Sequence, residues 1–556
     1  MTPVDLTDFD RAHTYLGKPL AERLTPWPTV LSRLDHHARV RANAPFLTTP
    51  TAAGDTVTLS YGEADALSRR LAGWLRREPA VRPGRTVALA PVNDAASVLA
   101  VLAVARAGCP LLMLNPRDPA GRRREQAAAA GADLVLRPGA VPAEALPEAV
   151  PLPDPYSLDE RAERAALPPG ARCDPADDAL FFATSGSTAA GKLVAQSHYA
   201  AAVNAEALRR HHGLRVGDRV LGCLPIQHVN GLHFTVLGIL AAGAHVMLAP
   251  GFDPLRYPRL VERFRPRIAS VVPSILEALA ETWRRREPPT GFDYFVSAAA
   301  PLAARTARAV RERTGARVLQ GYGLTETVNF STTLPSDLSE DSYRRLLLDA
   351  DIPSIGTALY GNEVAVLTPE GERAAPGEEG EICMRGHNVM TRYQGNEQAT
   401  AEAFAGGWFH SQDLGTEIID PDTGRPFVVV TGRIKNIAKV GGEAVSLDEV
   451  DRVLRAVPRL RDAASVALPH RFLGEEVVAA VVPVPGTDAV PQARAALSQA
   501  FRATCRPSRI LVLDAIPRTA TGKVLRRELA ARITGLSHTK SPGTVPSPIE
   551  TTETKS

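Results

Sequence analysis

Lysine is nearly absent from this chain: only seven of its 64 basic residues are Lys, and the rest are Arg. Wherever a generic surface cation would serve, Arg stands, so a retained Lys marks a place where a compact ammonium on a flexible stem is not replaceable by a planar guanidinium. Lys192, Lys435, Lys439 and Lys523 lie in loop-like segments rich in Gly, Ser and Thr; Lys18, Lys540 and Lys555 do not. Cysteine is scarce too. Cys109, Cys173, Cys223, Cys383 and Cys505 are far apart and lack C-x-x-C spacing, which excludes a disulfide framework and a zinc-finger pattern and fits a reducing, cytoplasmic setting. No apolar run reaches about 18 residues, so no membrane span is expected. Met1 to Arg11 carries Asp5, Asp8 and Asp10 and lacks the pattern of a signal peptide. Charge of one sign is also missing: the net charge is +3, with Arg interleaved among Asp and Glu, so nothing points to a nucleic-acid partner.

What is present is enough for more than one core. A chain of 556 residues that is 44% hydrophobic and 22% charged is a globular protein of two or more domains. Val87 to Ala90, Ala95 to Ala107 closed by Gly108, Leu111 to Leu114, an Ala/Arg helix and Leu134 to Leu136 alternate as strand and helix. The pattern recurs at Arg219 to Leu224, Gly231 to Leu240, His245 to Leu248 and Arg267 to Val272. Such alternation predicts parallel βαβ units and a doubly wound α/β body. After about Gly361, short strands with turn signals (Pro376-Gly377, Gly406-Gly407, Asp422-Thr423-Gly424) predict a β-rich subdomain. Beyond Gly432 a helix at Asp448 to Val457, strands at Ala464 to Leu468 and Val477 to Pro483, a helix at Gln492 to Arg502 and a strand at Ile510 to Leu513 predict a small α+β domain. The expected division is 1–431, a mobile small domain at 432–536, and a disordered tail at 537–556, rich in Ser, Thr and Pro.

The apolar strand Phe181-Phe182-Ala183 runs into Thr184-Ser185-Gly186-Ser187-Thr188-Ala189-Ala190-Gly191-Lys192. Such a loop presents backbone N–H groups, hydroxyls and one ammonium to an anion, as a polyphosphate requires. It also spells G-x-x-x-x-G-K, but Leu193 stands where a Walker A loop needs a Ser or Thr for Mg²⁺, and Val194 to Gln196 reads as a strand.

The loop resembles the phosphate-binding motif of the adenylate-forming superfamily of acyl-CoA synthetases, luciferases and peptide-synthetase adenylation domains. Thr184, Ser185, Gly186, Ser187, Thr188 and Lys192 match; Ala189 replaces a Gly and Gly191 a Pro. The remaining motifs follow in the family's order, over roughly Val30 to Leu536. Gln320-Gly321-Tyr322-Gly323-Leu324-Thr325-Glu326-Thr327 resembles the adenine-binding segment, which implies Tyr322 stacked on the purine, Thr325 donating to the α-phosphate and Glu326 as the Mg²⁺ ligand. In Gly407 to Gly415, Asp413 matches the acid for the ribose hydroxyls, and Gln412 stands where Gly is usual. Thr431 to Glu443 resembles the hinge: Arg433 for the ribose, Lys435 at the pivot, and Lys439-Val440-Gly441-Gly442 as a loop turned to the active site after adenylation. Pro517 to Lys523 resembles the motif whose Lys bridges carboxylate and phosphate.

The resemblance implies an ATP- and Mg²⁺-dependent ligase of secondary metabolism that converts a small carboxylic acid to acyl-AMP and passes it to the thiol of CoA or of a carrier protein's phosphopantetheine. His228 and Asn230, Ser297-Ala298-Ala299 and Asn329 would line the acid pocket. No acidic residue lies between Leu224 and Leu240 to pair an α-ammonium, so an α-amino acid is disfavoured; aromatic and medium-chain acids both stay open. Two other readings stand beside this one: an amine or nitrite as acceptor, and a catalytically degenerate nucleotide-binding regulator.

Overall fold

The short runs Val87–Leu89, Leu111–Met113 and Leu134–Arg137 are apolar on both faces or nearly so, as strands of a parallel sheet covered on both sides by helices must be. In the computed structural model, which describes residues 6–50, 55–161, 173–184, 191–284, 290–519 and 522–539, they form the centre of a seven-stranded sheet. Its order is Arg392–Tyr393, Leu193–Ser197, Asp178–Ala183, Leu111–Met113, Val87–Leu89, Leu134–Arg137, Val150–Pro151. Leu193–Ser197 pairs antiparallel with Asp178–Ala183, so the chain after Lys192 is a strand, as expected.

A nine-stranded sheet carries the parallel core Arg317–Tyr322, Tyr294–Ser297, Ile268–Val271, Arg219–Gly222 and His245–Leu248. The covering helices start and stop where local chemistry dictates. Asp94 caps Ala95–Arg106 by accepting from the Ser97 N–H at 2.7 Å, and Gly108 follows with φ +74°. A four-stranded antiparallel sheet of Asn362–Leu367, Glu379–Gly386, Phe409–Ile419 and Pro426–Arg433 is the expected β-rich part. One expectation changes: Asn230–Gly238 is a π-helix, continued by the α-helical Ile239–Ala242, where the sequence predicts an ordinary helix. Gly231 permits it, since a Cβ there would lie 2.2 Å from the Pro225 carbonyl oxygen.

The chain separates into two compact units, 1–431 and 432–556. In the second, Leu460–His470 and Gly474–Pro483 form a long antiparallel pair flanked by Ile437–Val440 and by Arg509–Val512, with the helices Leu447–Arg455 and Val490–Ala500. The buried Asp451 accepts from the Ser465 hydroxyl at 2.7 Å and from Arg526 at 2.9 Å, which ties the helix Arg526–Thr539 to this core. That helix runs through residues 537–539, where a disordered tail is expected; 540–556 lie outside the described residues. Among the described residues no helix is long and apolar enough to cross a membrane.

Candidate active site

Ser297 and Gln320 are paired in register at the C-terminal ends of adjacent parallel strands, the end at which open α/β sheets bind ligands. Gly321, Tyr322 and Gly323 follow directly. A Cβ on Gly323 would lie 1.7 Å from the Asn329 carbonyl oxygen, so this glycine is required for two backbone segments to touch. The segment between them is strained. Val328, a β-branched residue, has φ +64° and ψ −50°, and the Asn329 N–H donates to the Thr327 carbonyl at 2.7 Å, which makes a γ-turn. Such a turn is rare and costs about 1–3 kcal/mol, so surrounding contacts must hold it.

Those contacts come from Gln196. Its amide nitrogen donates to the Thr325 carbonyl at 2.8 Å and reaches the Val328 carbonyl at 3.5 Å. Its oxygen accepts from His233 Nε2 at 2.8 Å. Burial pushes the His233 pKa down to about 3, so the ring stays neutral and serves as a fixed donor. Neither residue is marked by the sequence motifs; the signal is a polar amide in an otherwise apolar strand, Leu193-Val194-Ala195-Gln196.

Glu326 is held twice: its backbone carbonyl accepts from the Met390 N–H at 2.6 Å, and Oε1 accepts from the Tyr393 hydroxyl at 2.9 Å. The face of the same Tyr393 ring receives Lys192 Nζ at 4.4 Å, within cation–π range. Tyr393 therefore links the phosphate-loop lysine to the expected metal ligand, and sequence reading passes over it. Lys192 is fixed at its root by backbone and side-chain bonds to Thr184, and Gly191 has φ +73° with the Thr184 carbonyl oxygen 2.2 Å from any added Cβ. Proline, locked near φ −65°, does not fit this backbone. Ser185, Gly186, Ser187, Thr188 and Ala189 lie outside the described residues.

Tyr322 donates through its hydroxyl to Asp413 Oδ2 at 2.8 Å, so the expected purine and ribose residues are neighbours. Gln412 adopts φ +64°, the conformation that the usual Gly would take freely. Glu381 sustains it: Oε1 accepts from the Gln412 N–H at 2.8 Å and from its side-chain amide at 3.3 Å, while Oε2 meets His410 Nδ1 at 2.8 Å. The Glu381 carboxylate raises the His410 pKa above its ordinary value. Cys383 Sγ lies 3.5 Å from the same Nδ1.

Of the acid-pocket candidates, His228 is half-buried just before the π-helix, Ala298 is buried and Ala299 has φ +72°. Asn230 spends its acceptor internally, on the Ser270 hydroxyl at 3.0 Å. Ser297 Oγ, Gln320 Oε1 and Asn329 Nδ2 are buried without a partner among the described residues.

The second unit carries Arg433, Lys435, Lys439 and Lys523. Lys435 is exposed on a short 3₁₀ turn, Ile434–Asn436. Lys439 corrects an expectation: it lies on the strand Ile437–Val440, not in a loop, and Gly441-Gly442, with φ +58° and +89°, form a two-residue hairpin to Glu443–Ser446. Lys523 is exposed on a loop closed by Thr519 N–H to the Lys523 carbonyl at 2.8 Å and braced by Arg518 on Asp462 at 2.6 Å.

Residues 34–394 match the family model described as AMP-binding enzyme, and residues 449–523 its C-terminal domain. The chain belongs to the AMP-binding enzyme family. It is 30% identical over 524 residues to feruloyl-CoA synthase of Amycolatopsis sp, covering 92% of this chain and 99% of that one. Similarity to oxalate–CoA ligase of Arabidopsis thaliana is 29% over 492 residues, 85% of this chain and 93% of the relative. ATP-bound MatB from Rhodopseudomonas palustris superposes with a TM-score of 0.78 at 27% identity, covering 92% and 99% of the two chains. This is an AMP-forming acid–thiol ligase of the acyl-CoA synthetase type that uses ATP, Mg²⁺ and CoA.

Proposed function

We propose that the acid activated here is small and polar, an aryl or short dicarboxylic acid rather than a medium-chain fatty acid. The observation that carries this is a file of buried rings behind the site. Phe330, which follows Asn329, packs on Phe234 at 5.6 Å between centroids; Phe234 meets His212 at 5.3 Å; His212 meets Tyr294 at 5.9 Å. All four side chains are buried and packed on one another, which argues against an extended chain passing between them. Ser297 Oγ, Gln320 Oε1 and Asn329 Nδ2 favour an acid bearing its own hydrogen-bonding groups, because an analogue without them leaves buried polar atoms unpaired. Feruloyl and oxalate, the acids named in the two relatives, are of this kind.

In the first step an oxygen of the acid attacks the α-phosphorus, the bond to the bridging oxygen breaks, and pyrophosphate leaves. In the second, the thiol sulfur attacks the acyl carbon and AMP leaves. Thr325 donates to the α-phosphate, Lys192 and the Thr184–Thr188 loop receive the leaving phosphates, and Tyr322, Asp413 and Arg433 hold adenosine. Glu326 would hold Mg²⁺: Tyr393 orients one carboxylate oxygen and leaves the other without a partner among the described residues, a hard oxygen donor suited to this ion. Held there, the ion would supply charge neutralisation at phosphate oxygens. Lys523 offsets charge in adenylation, Lys435 serves as pivot, and Lys439 acts in thiolation. A carrier protein's phosphopantetheine as an alternative acceptor to CoA, and a cytoplasmic setting for the five free cysteines, complete the reading.

The test is pyrophosphate release over hydroxy- and aminobenzoates, cinnamates, short dicarboxylates and C6 to C12 fatty acids. A kcat/KM at least about 10-fold higher for the polar acids supports the reading, this being the value of one unpaired buried polar group. A preference for octanoate or decanoate overturns it.

A further inference from the structure

A cleft of about 600 Å³ opens at the opposite end of the nine-stranded sheet, lined among others by Arg210, His212, Arg215, Arg267, Asp337 and Arg425. Arg267 immediately precedes the strand Ile268–Val271, and Asp218, also in the lining, precedes Arg219–Gly222; these are the N-terminal ends of strands whose C-terminal ends face the acid and nucleotide residues. Leu334 donates to the Gln320 carbonyl and Arg317 to the Leu338 carbonyl, so Pro335 to Asp337 run back along Arg317–Tyr322 to the same N-terminal end. A four-residue strand puts roughly 13 Å between the two ends, and the Phe330, Phe234, His212 and Tyr294 rings fill the interior between them.

The four guanidinium groups are not equally occupied. Arg267 is spent on scaffolding: Nε lies 3.1 Å from Asp218, one terminal nitrogen 3.0 Å from Asp293, and the other donates to the His212 carbonyl at 2.6 Å. Arg210 gives Nε to Glu206 at 2.7 Å and stacks at 3.7 Å on Tyr360. Arg425 reaches Asp337 only at 3.5 Å. The exposed Arg215 side chain has no ion pair or hydrogen bond among the described residues. With Asp218 and Asp337 counted, the lining keeps an excess of positive charge. His212 gives an independent sign of a missing partner. It is 2% exposed, its Nδ1 lies 3.2 Å from the Tyr294 hydroxyl, and its Nε2 has no partner among the described residues. When the Tyr294 hydroxyl gives its proton to Nδ1, the ring proton sits on Nε2. His212 Nε2–H is then an unpaired donor in the cleft wall.

We propose that this cleft is a second anion site, separate from the ATP site, that takes a phosphate-bearing small molecule on Arg215, Arg425 and His212. Planar guanidinium forks match phosphate oxygens in pairs, and the volume suits a ligand of sugar-phosphate to nucleotide size. Arg425 lies in the turn that follows Phe409–Ile419, the strand bearing Asp413, so an anion joining it to Arg215 clamps the β-rich part onto the sheet.

The probe is fructose 1,6-bisphosphate, titrated calorimetrically into the full chain at about 0.15 M salt, where long-range screening is strong. One equivalent binding with a dissociation constant on the order of 10⁻⁴ M is expected, with at least a 10-fold loss in the double variant Arg215→Glu, Arg425→Glu. Pyrophosphate release by that variant should stay within twofold of the parent, showing that it is folded and that the ATP site is intact; Arg215→Lys should retain part of the binding. Phosphatidylcholine vesicles with and without phosphatidic acid form the second arm, and arginine-dependent binding of the phosphatidic acid vesicles alone assigns the same phosphate site to a lipid headgroup. No saturable binding in either arm, or equal binding by the double variant, overturns the proposal.

Discussion

The Tyr393 hydroxyl donates to Glu326 Oε1 at 2.9 Å, and the same ring carries the Lys192 ammonium on its face. Tyr393→Phe keeps the ring for Lys192 and removes only the bond to Glu326. Loss of one hydrogen bond to a charged group is expected to lower adenylation about 10-fold, with a raised apparent KM for Mg²⁺. Pyrophosphate release titrated with Mg²⁺ checks this, and an unchanged Mg²⁺ dependence would count against Tyr393 as the orienting group.

Gln196→Leu removes the donor to the Thr325 and Val328 carbonyls and strands His233. The Thr325 and Val328 carbonyls and His233 Nε2 each lose a partner, so a destabilisation of about 2–4 kcal/mol is expected, together with slower adenylation because the γ-turn after Glu326 relaxes. Urea unfolding and pyrophosphate release on the same preparation measure both.

Gly191→Pro and Gln412→Gly should move in opposite directions, although each restores the residue usual in the family. Proline cannot adopt φ +73° at position 191, so that variant loses activity. Glycine at 412 relieves a left-handed side-chain-bearing residue, expected to stabilise by about 1 kcal/mol, less the value of the 3.3 Å amide bond to Glu381. A lower Tm for Gln412→Gly would show that the Glu381 contact outweighs the strain.

Lys523→Ala should cut adenylation by about 10²- to 10³-fold, the usual loss of one charge-stabilising donor, while leaving conversion of supplied acyl-adenylate to thioester. Lys439→Ala should do the reverse. Equal loss of both steps in either variant would refute the division of labour between the two lysines.

Stability should fall on both sides of neutrality for different reasons. Burial depresses His37, His198 and His245 to about 4 and His233 to about 3. The unfolded chain therefore binds more protons than the folded one as pH drops below about 6.5, and stability is lost from there down. His410 has the opposite sign: its raised pKa contributes stability below 6.5 that disappears as pH rises through the folded-state value. Tm against pH for the parent and His410→Asn should differ on the alkaline side, with the flatter curve in the variant.

How much of this was legible in the sequence follows from the range of each contact. The phosphate loop, the adenine segment and the strand after Lys192 are local patterns, and the βαβ alternation is a local periodicity. The apolar pattern around Asn230–Gly238 predicts an ordinary helix and not the π-helix, because the approach of Gly231 to Pro225 is a packing contact. The two glycines after Lys439 suggest a loop, yet both sit inside a two-residue hairpin turn.

The sequence by itself determined the family and the order of the motifs, since those depend on residue types at short spacing. Only the tertiary structure decided that Gln196, 129 residues before Thr325, holds the strained turn, and that Tyr393, 67 residues after Glu326, orients its carboxylate. It also decided that Gln412 endures a glycine conformation because Glu381 reaches it from the neighbouring strand. Those are contacts between distant segments, and one-dimensional spacing carries no record of which side chains the sheets bring face to face.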